Sequence, residues 1–318
     1  MRFVTLFFLL LAASATYGQN YPSRPIKVVV PYAAGGLPDT IARLVGAKLG
    51  ESLGQQLVVE NRGGAGGIVG TAEVAKSPPD GYTLLVADVG QIAINPHVFS
   101  KLPYEPLKDL APVSLVGTSA LYLVAHASVR ANNFRELVAL ARAEPGKLNY
   151  GSSGTGSIHH LATEALKAAL GLDMVHVPYK GTGQSVPALL GGQVALLYAA
   201  LPSIEPHVKA GKVKILAVST SQRSPQTPDV PTVAEMGVPG YEFVAEIGVL
   251  APAGTPAEII GLLSREISKA VKQPDLVQRF AQLGIDPVGS TPEEYAAINR
   301  ADYEKFARVV KISGVKID

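Results

Sequence analysis

The sequence predicts an α/β protein of two lobes, each a sheet flanked by helices. Three observations carry this. Strand-like and helix-like segments alternate along most of the chain, the pattern of a largely parallel sheet. At 318 residues, 47% of them hydrophobic, the chain exceeds one ordinary core and fits two domains. A Gly-rich turn between a strand and a helix occurs twice, once in each half, at 31–39 and 151–157.

Ile26 to Val30 is almost wholly apolar, as expected of a strand covered on both faces. The first turn follows, Pro31-Tyr32-Ala33-Ala34-Gly35-Gly36-Leu37-Pro38-Asp39. Gly35 and Gly36 let a ligand approach the backbone, and Asp39 stands where an N-cap or first-turn acid belongs. The helix after it carries Ile41, Leu44, Val45 and Leu49 on one stripe and stops at Gly54. Leu57 to Val59 reads as the next strand, 61–70 as a second Gly-rich loop, and 71–76 as a short helix. Thr83 to Ala87 is a third strand. It ends at Asp88-Val89-Gly90-Gln91, where polar side chains are expected to face a cleft.

The second half repeats the scheme. Leu121 to Ala125 is a strand, Asn133 caps a helix through Ala143, and 148–150 is a short strand. The second turn, Gly151-Ser152-Ser153-Gly154-Thr155-Gly156-Ser157, opens a helix from Ile158 to Ala169, with Ser157 as its N-cap. Further elements are read at 174–177, 185–190, 194–198 and 213–219. A polar, Pro-rich loop at 224–231 precedes the apolar run Phe243 to Leu250, which only Glu246 interrupts. Amphipathic helices are expected at 258–271 and 292–311.

Composition excludes several classes. The net charge is +2, and removing residues 1–18, whose one charged side chain is Arg2, leaves +1. That is no nucleic-acid footprint. Cysteine is absent, which removes disulfides, thiol catalysis and thiolate metal sites. Residues 1–18 read as a cleavable secretory signal, with cleavage after Ala15 or Gly18. The expected product is an exported, periplasmic, monomeric protein without a membrane span.

The motifs argue for binding over catalysis. Gly151-Ser152-Ser153-Gly154-Thr155 misses the last glycine of a nucleophile elbow. Neither a Walker A loop nor a dinucleotide fingerprint is present. His160 and Glu164 lie one helical turn apart and could share a metal, but they read better as polar neighbours of the turn; no metal or cofactor is expected. His97, His126, His176 and His207 read as structural. Two turns that aim N–H groups at an anion suit a carboxylate held between lobes.

An ordered set of short motifs runs along the chain: Tyr21-Pro22-Ser23-Arg24-Pro25-Ile26, Gly35-Gly36 with Asp39, Glu60-Asn61-Arg62, Gly66-Gly67 and Pro79-Asp80-Gly81-Tyr82-Thr83-Leu84. It continues through Asn95-Pro96, Leu107-Lys108-Asp109, Tyr150-Gly151-Ser152, Val177-Pro178-Tyr179-Lys180-Gly181, Pro228-Asp229-Val230-Pro231-Thr232 and Ala251-Pro252-Ala253-Gly254-Thr255-Pro256. Through this set the chain resembles the Bug family of periplasmic solute-binding proteins. The resemblance implies a type II-like Venus-flytrap fold serving a tripartite tricarboxylate transporter. Lobe 1 would hold 19–120 and 241–318, and lobe 2 would hold 121–240. The implied ligand is a small carboxylate: a dicarboxylate, tricarboxylate, aromatic acid or amino acid. It would be gripped by Tyr32, Ala33, Ala34, Gly35, Gly36 and Asp39, by Asp88 and Gln91, and by Ser152, Ser153, Gly154, Thr155, Gly156 and Ser157. Tyr198, Ala199 and Glu246 complete the expected set. Membrane subunits of the transporter are the implied partners. A sensor that presents its ligand to a kinase, and a secreted hydrolase, stand as alternatives.

Three positions depart from the family pattern. Ala33-Ala34 replaces prolines in the first turn, Ala199 stands where an Asp is common, and Glu246 stands where many relatives carry a Trp. The last change suggests that Glu246 faces the ligand and pairs with a cationic group on it.

Overall fold

The computed structural model describes residues 21–316, so the expected signal at 1–18 lies outside the described residues. Two sheets form. The first is six-stranded and takes strands from both ends of the chain. Its centre is β1 (Ile26–Val30), parallel to β2 (Leu57–Asn61) on one side and to β3 (Thr83–Asp88) on the other. Burial on both faces explains why β1 is apolar except at the half-buried Lys27. Antiparallel to β3 lies β10 (Val244–Pro252), followed outward by β4 (Leu110–Ala120) and the short β11 (Asp286–Pro287).

The second sheet is five-stranded. Parallel β7 (Val175–Pro178), β6 (Asn149–Ser152) and β8 (Leu196–Ala199) are followed by β5 (Tyr122–His126), which runs antiparallel to β8 and to β9 (Val213–Val218). The helices that matter most for the site are α1 (Leu37–Leu53) and α2 (Ile68–Ala75) on the first sheet and α4 (Ile158–Leu170) on the second. Between them in the chain comes α3 (Phe134–Ala143), whose N-cap Asn133 accepts the Glu136 N–H as expected.

The chain crosses between sheets twice. Leu121 alone separates β4 from β5. The return runs from Ser219 to Phe243. The two crossings are bonded together: Ser219 N–H donates to Leu121 O at 2.9 Å, and Phe243 N–H donates to Ser219 O at 2.9 Å. A C-terminal helix, α5 (Pro292–Ser313), starts with a full capping box between Thr291 and Glu294. It packs on β4 of the first sheet and on α4 of the second, so it spans the crossing. Its Tyr295 lies flat on β10 at Gly248, where a Cβ would sit 2.3 Å from the phenol ring. Only glycine fits there.

Several elements differ from the sequence expectation. Helix α2 starts at Ile68 instead of Thr71, because Gly66 and Gly67 take left-handed φ of 63° and 87° and turn the chain early. Strand β4 has no clean apolar alternation, since Pro112, Ser114, Thr118 and Ser119 interrupt it. Pairing with β10 makes it a strand.

Candidate functional site

The first turn is held from below by Asp39. The N-cap of α1 is Gly36, and Asp39 lies inside the first helical turn with its carboxylate fully engaged. Gly35 N–H donates to Oδ2 at 2.9 Å, Asn61 Nδ2 to Oδ1 at 3.0 Å, and Arg43 Nε to Oδ2 at 3.2 Å. Asn61 also reaches Tyr32 O at 3.2 Å. Burial alone would raise the Asp39 pKa. The Gly35 N–H, Arg43 and Asn61 outweigh it and hold the carboxyl below its ordinary range. Asp39 is thus a staple for the turn, not a free N-cap. Gly35, at φ 88°, spends its N–H on Asp39. The N–H groups of Ala33, Ala34 and Gly36 have no acceptor among the described residues, and Ala33 and Ala34 are exposed. They lie at the N-terminus of α1, where an anion is favoured.

The turn is braced sideways by the end of β3. Tyr32 Oη donates to Asp88 Oδ2 at 2.8 Å and accepts from Gln91 Nε2 at 2.7 Å. Asp88 Oδ1 takes the Gly90 N–H at 2.7 Å, and Gln91 Nε2 also reaches Gly66 O at 3.0 Å. Desolvation raises the Asp88 carboxyl against the hydrogen bonds from Tyr32 and Gly90. Gln91 was expected to face a cleft, yet it is fully buried, as the link between β3, the first turn and the loop at Gly66.

The second turn sits at the carboxyl end of β6. Ser157 caps α4 by accepting the His160 N–H at 3.3 Å, as its position predicts. Ser152 is 1% exposed; its Oγ accepts the Gly154 N–H at 3.1 Å and lies 2.7 Å from His176 Nε2. Ser153 Oγ is 2.8 Å from His159 Nδ1. Gly156 N–H donates to His160 Nδ1 at 3.2 Å. The N–H groups of Ser153 and Thr155 have no acceptor among the described residues, and Thr155 is exposed. His160 and His176 stack with centroids 3.9 Å apart, and Tyr150 stacks on His176 at 5.0 Å. Burial pushes His159, His160 and His176 down to about 4, so all three are neutral at physiological pH. The scattered His176 of the sequence is therefore part of this turn.

This chemistry does not make a nucleophile. Ser152 is buried and already bonded, and a His176 imidazole near 4 is a poor base. Nor do His160 and Glu164 share a metal. His160 Nδ1 takes the Gly156 N–H, while Glu164 Oε1 is bonded by Tyr150 Oη and by Lys167 Nζ. Among the described residues no group of three His, Asp or Glu is placed to hold a metal.

Three expected residues sit elsewhere. Tyr198 and Ala199 are 1% and 0% exposed. The Tyr198 hydroxyl is 2.7 Å from that of Tyr241, which donates to Ala162 O at 2.7 Å, so it is consumed inside the second lobe. Glu246 pairs with no cation within salt-bridge distance among the described residues. Its carboxyl and that of Asp302 of α5 line one cavity of about 300 Å³ that also touches Glu242 and Lys305. No residue of either turn lines that cavity.

Comparison with known proteins agrees with this architecture. Residues 41–315 match the model of the tripartite tricarboxylate transporter family receptor. The protein BugT of Bordetella pertussis is 39% identical over 308 residues, covering 96% of this chain and 94% of BugT. Among solved structures, R. palustris Rpa4515 with adipate superposes with a TM-score of 0.87 at 35% identity, covering 93% of this chain and 99% of that one. MatC from Rhodopseudomonas palustris, with bound malate, gives 0.84 at 35% identity, covering 91% and 100%. By these matches the chain belongs to the TctC, or Bug, family of periplasmic solute-binding receptors, which are not enzymes.

Proposed function

We propose that the protein captures a small carboxylate between its lobes and delivers it to the membrane subunits of a tripartite tricarboxylate transporter, after export directed by residues 1–18. The observation that carries this is the pair of strand-to-helix turns whose N–H groups have no acceptor among the described residues: exposed Ala33 and Ala34 with half-buried Gly36 on one lobe, half-buried Ser153 and exposed Thr155 on the other. Such groups bind a carboxylate without needing an Arg or Lys beside it. The adipate and malate held by the two structural neighbours have this chemistry.

The test is a thermal-shift screen of the mature protein against mono-, di- and tricarboxylates, aromatic acids and amino acids. A ligand at about 100 times its dissociation constant adds about 2.7 kcal/mol to stability. The expected result is a clear shift for one carboxylate class, which Gly36→Pro and Thr155→Pro each abolish by removing an N–H. A hit that survives both substitutions would place the ligand elsewhere and overturn the assignment of the site.

A further inference from the structure

The cavity beside Glu246 lies under α5 at the crossing between the lobes. Its walls combine carboxyls from Glu242, Glu246 and Asp302 with the apolar faces of Val89, Val244 and Phe306. The acids outnumber the one cation present. Lys305 makes no salt bridge within 4.0 Å among the described residues; its ammonium lies 5.7 Å from the Phe306 ring and 5.9 Å from Phe243. Asp302 is only 9% exposed, and its Oδ2 accepts no hydrogen bond among the described residues. One turn earlier on the same helix, the Asn299 Nδ2 is likewise buried without an acceptor among the described residues. A buried polar group without a partner is costly, and here it adjoins a space large enough for several heavy atoms.

We propose that this cavity is a binding site for a small primary ammonium compound, its cation between Glu246 and Asp302 and its hydrocarbon against Val89, Val244 and Phe306. An organic cation fits better than a metal ion. The space far exceeds a coordination sphere, Val89, Val244 and Phe306 give part of its wall an apolar face, and the acids do not converge as a ligand set among the described residues. Burial and the neighbouring Asp302 push the Glu246 carboxyl up, with Lys305 opposing and Glu242 adding to the rise. An ammonium group entering between the two carboxyls favours their ionised forms, so the proton that burial holds on the pair is released to solvent as it binds. Because the site joins β10 to α5, and α5 packs on both lobes, its occupant tightens the crossing. The inference stands independently of the carboxylate site.

The experiment is calorimetric titration of the mature protein with n-propylammonium chloride at pH about 8.5, where an alkylammonium keeps its proton. n-Propanol and potassium chloride at equal concentration are the controls. Saturable binding of propylammonium alone is expected, with proton release seen as a dependence of the heat on buffer ionisation enthalpy. Glu246→Gln should weaken binding at least tenfold, and Lys305→Met, which removes the competing cation, should strengthen it several-fold. Unchanged circular dichroism shows that each variant is folded. Absence of binding to the wild type, an equal response to potassium chloride, or unchanged affinity in both folded variants overturns the proposal.

Discussion

Tyr32 and Asp88, 56 residues apart, meet through a hydrogen bond of 2.8 Å from the phenol to the carboxylate. This single contact fixes the first turn to the end of β3. It sits at the centre of a network in which Gln91 donates to the same phenol at 2.7 Å and Gly90 N–H holds the other carboxylate oxygen. The backbone of Ala33 and Ala34 is thus carried by a side chain that need not touch the ligand.

Tyr32→Phe should therefore act on stability and binding together. Asp88 loses its side-chain donor and Gln91 loses an acceptor, both in buried surroundings. The expected cost is about 1–3 kcal/mol in urea unfolding. Carboxylate affinity should fall about tenfold as the turn loosens. A variant with wild-type stability and affinity would show that the network is dispensable.

Asp39→Ala separates support of the turn from contact with the ligand. The substitution frees the Gly35 N–H and strands Arg43 and Asn61, so a loss of about 1–3 kcal/mol is expected. Hydrogen exchange should quicken at the amides of residues 33–36 even without ligand. If exchange there is unchanged while affinity alone drops, Asp39 contacts the ligand directly.

Local signals were legible in the sequence, and long-range ones were not. Asn133 and Ser157 were readable as caps because their partners, Glu136 and His160, lie three residues away. The apolar run of β1 is likewise a local signal. By contrast, the burial of Gln91 depends on Tyr32 and Gly66, which are 59 and 25 residues away and leave no mark on periodicity. Strand β4 is stabilised by its neighbour β10, not by its own pattern. Tyr198 is an expected contact only because its stretch, 196–200, stands out in the family resemblance; Tyr241, 43 residues on, takes its hydroxyl instead. Glu246 was expected to meet a ligand cation because nothing near it in sequence reveals Asp302.

The stacked histidines set a pH window. Unfolded histidine titrates near 6.5, whereas burial holds His159, His160 and His176 near 4 in the fold. The unfolded chain therefore binds protons that the native chain refuses, and stability falls as pH drops from about 6.5 towards 4. His160 alone contributes on the order of 2 kcal/mol by pH about 5. Glu246 contributes with the opposite sign across the same window, so the histidine effect is read as the difference between wild type and His160→Gln in melting curves between pH about 7 and 5. His160→Gln should flatten the curve; an unchanged slope would remove the stack as its cause.

The acid pair at the crossing has the opposite sign. Glu246 keeps its proton to about 9 in the fold, because it is buried beside Asp302, but gives it up near 4.5 when unfolded. The contribution of this group to native stability is therefore full below pH about 4.5 and declines as pH rises towards 9. Glutamine cannot ionise. Glu246→Gln should thus match the wild type near pH 4.5 and exceed it by a margin that widens as pH rises towards 8. The comparison is a difference between two pH values in one variant, so a general packing change cannot imitate it. A stability difference independent of pH would mean that Glu246 is ionised in the native protein, with Lys305 rather than a shared proton balancing its charge.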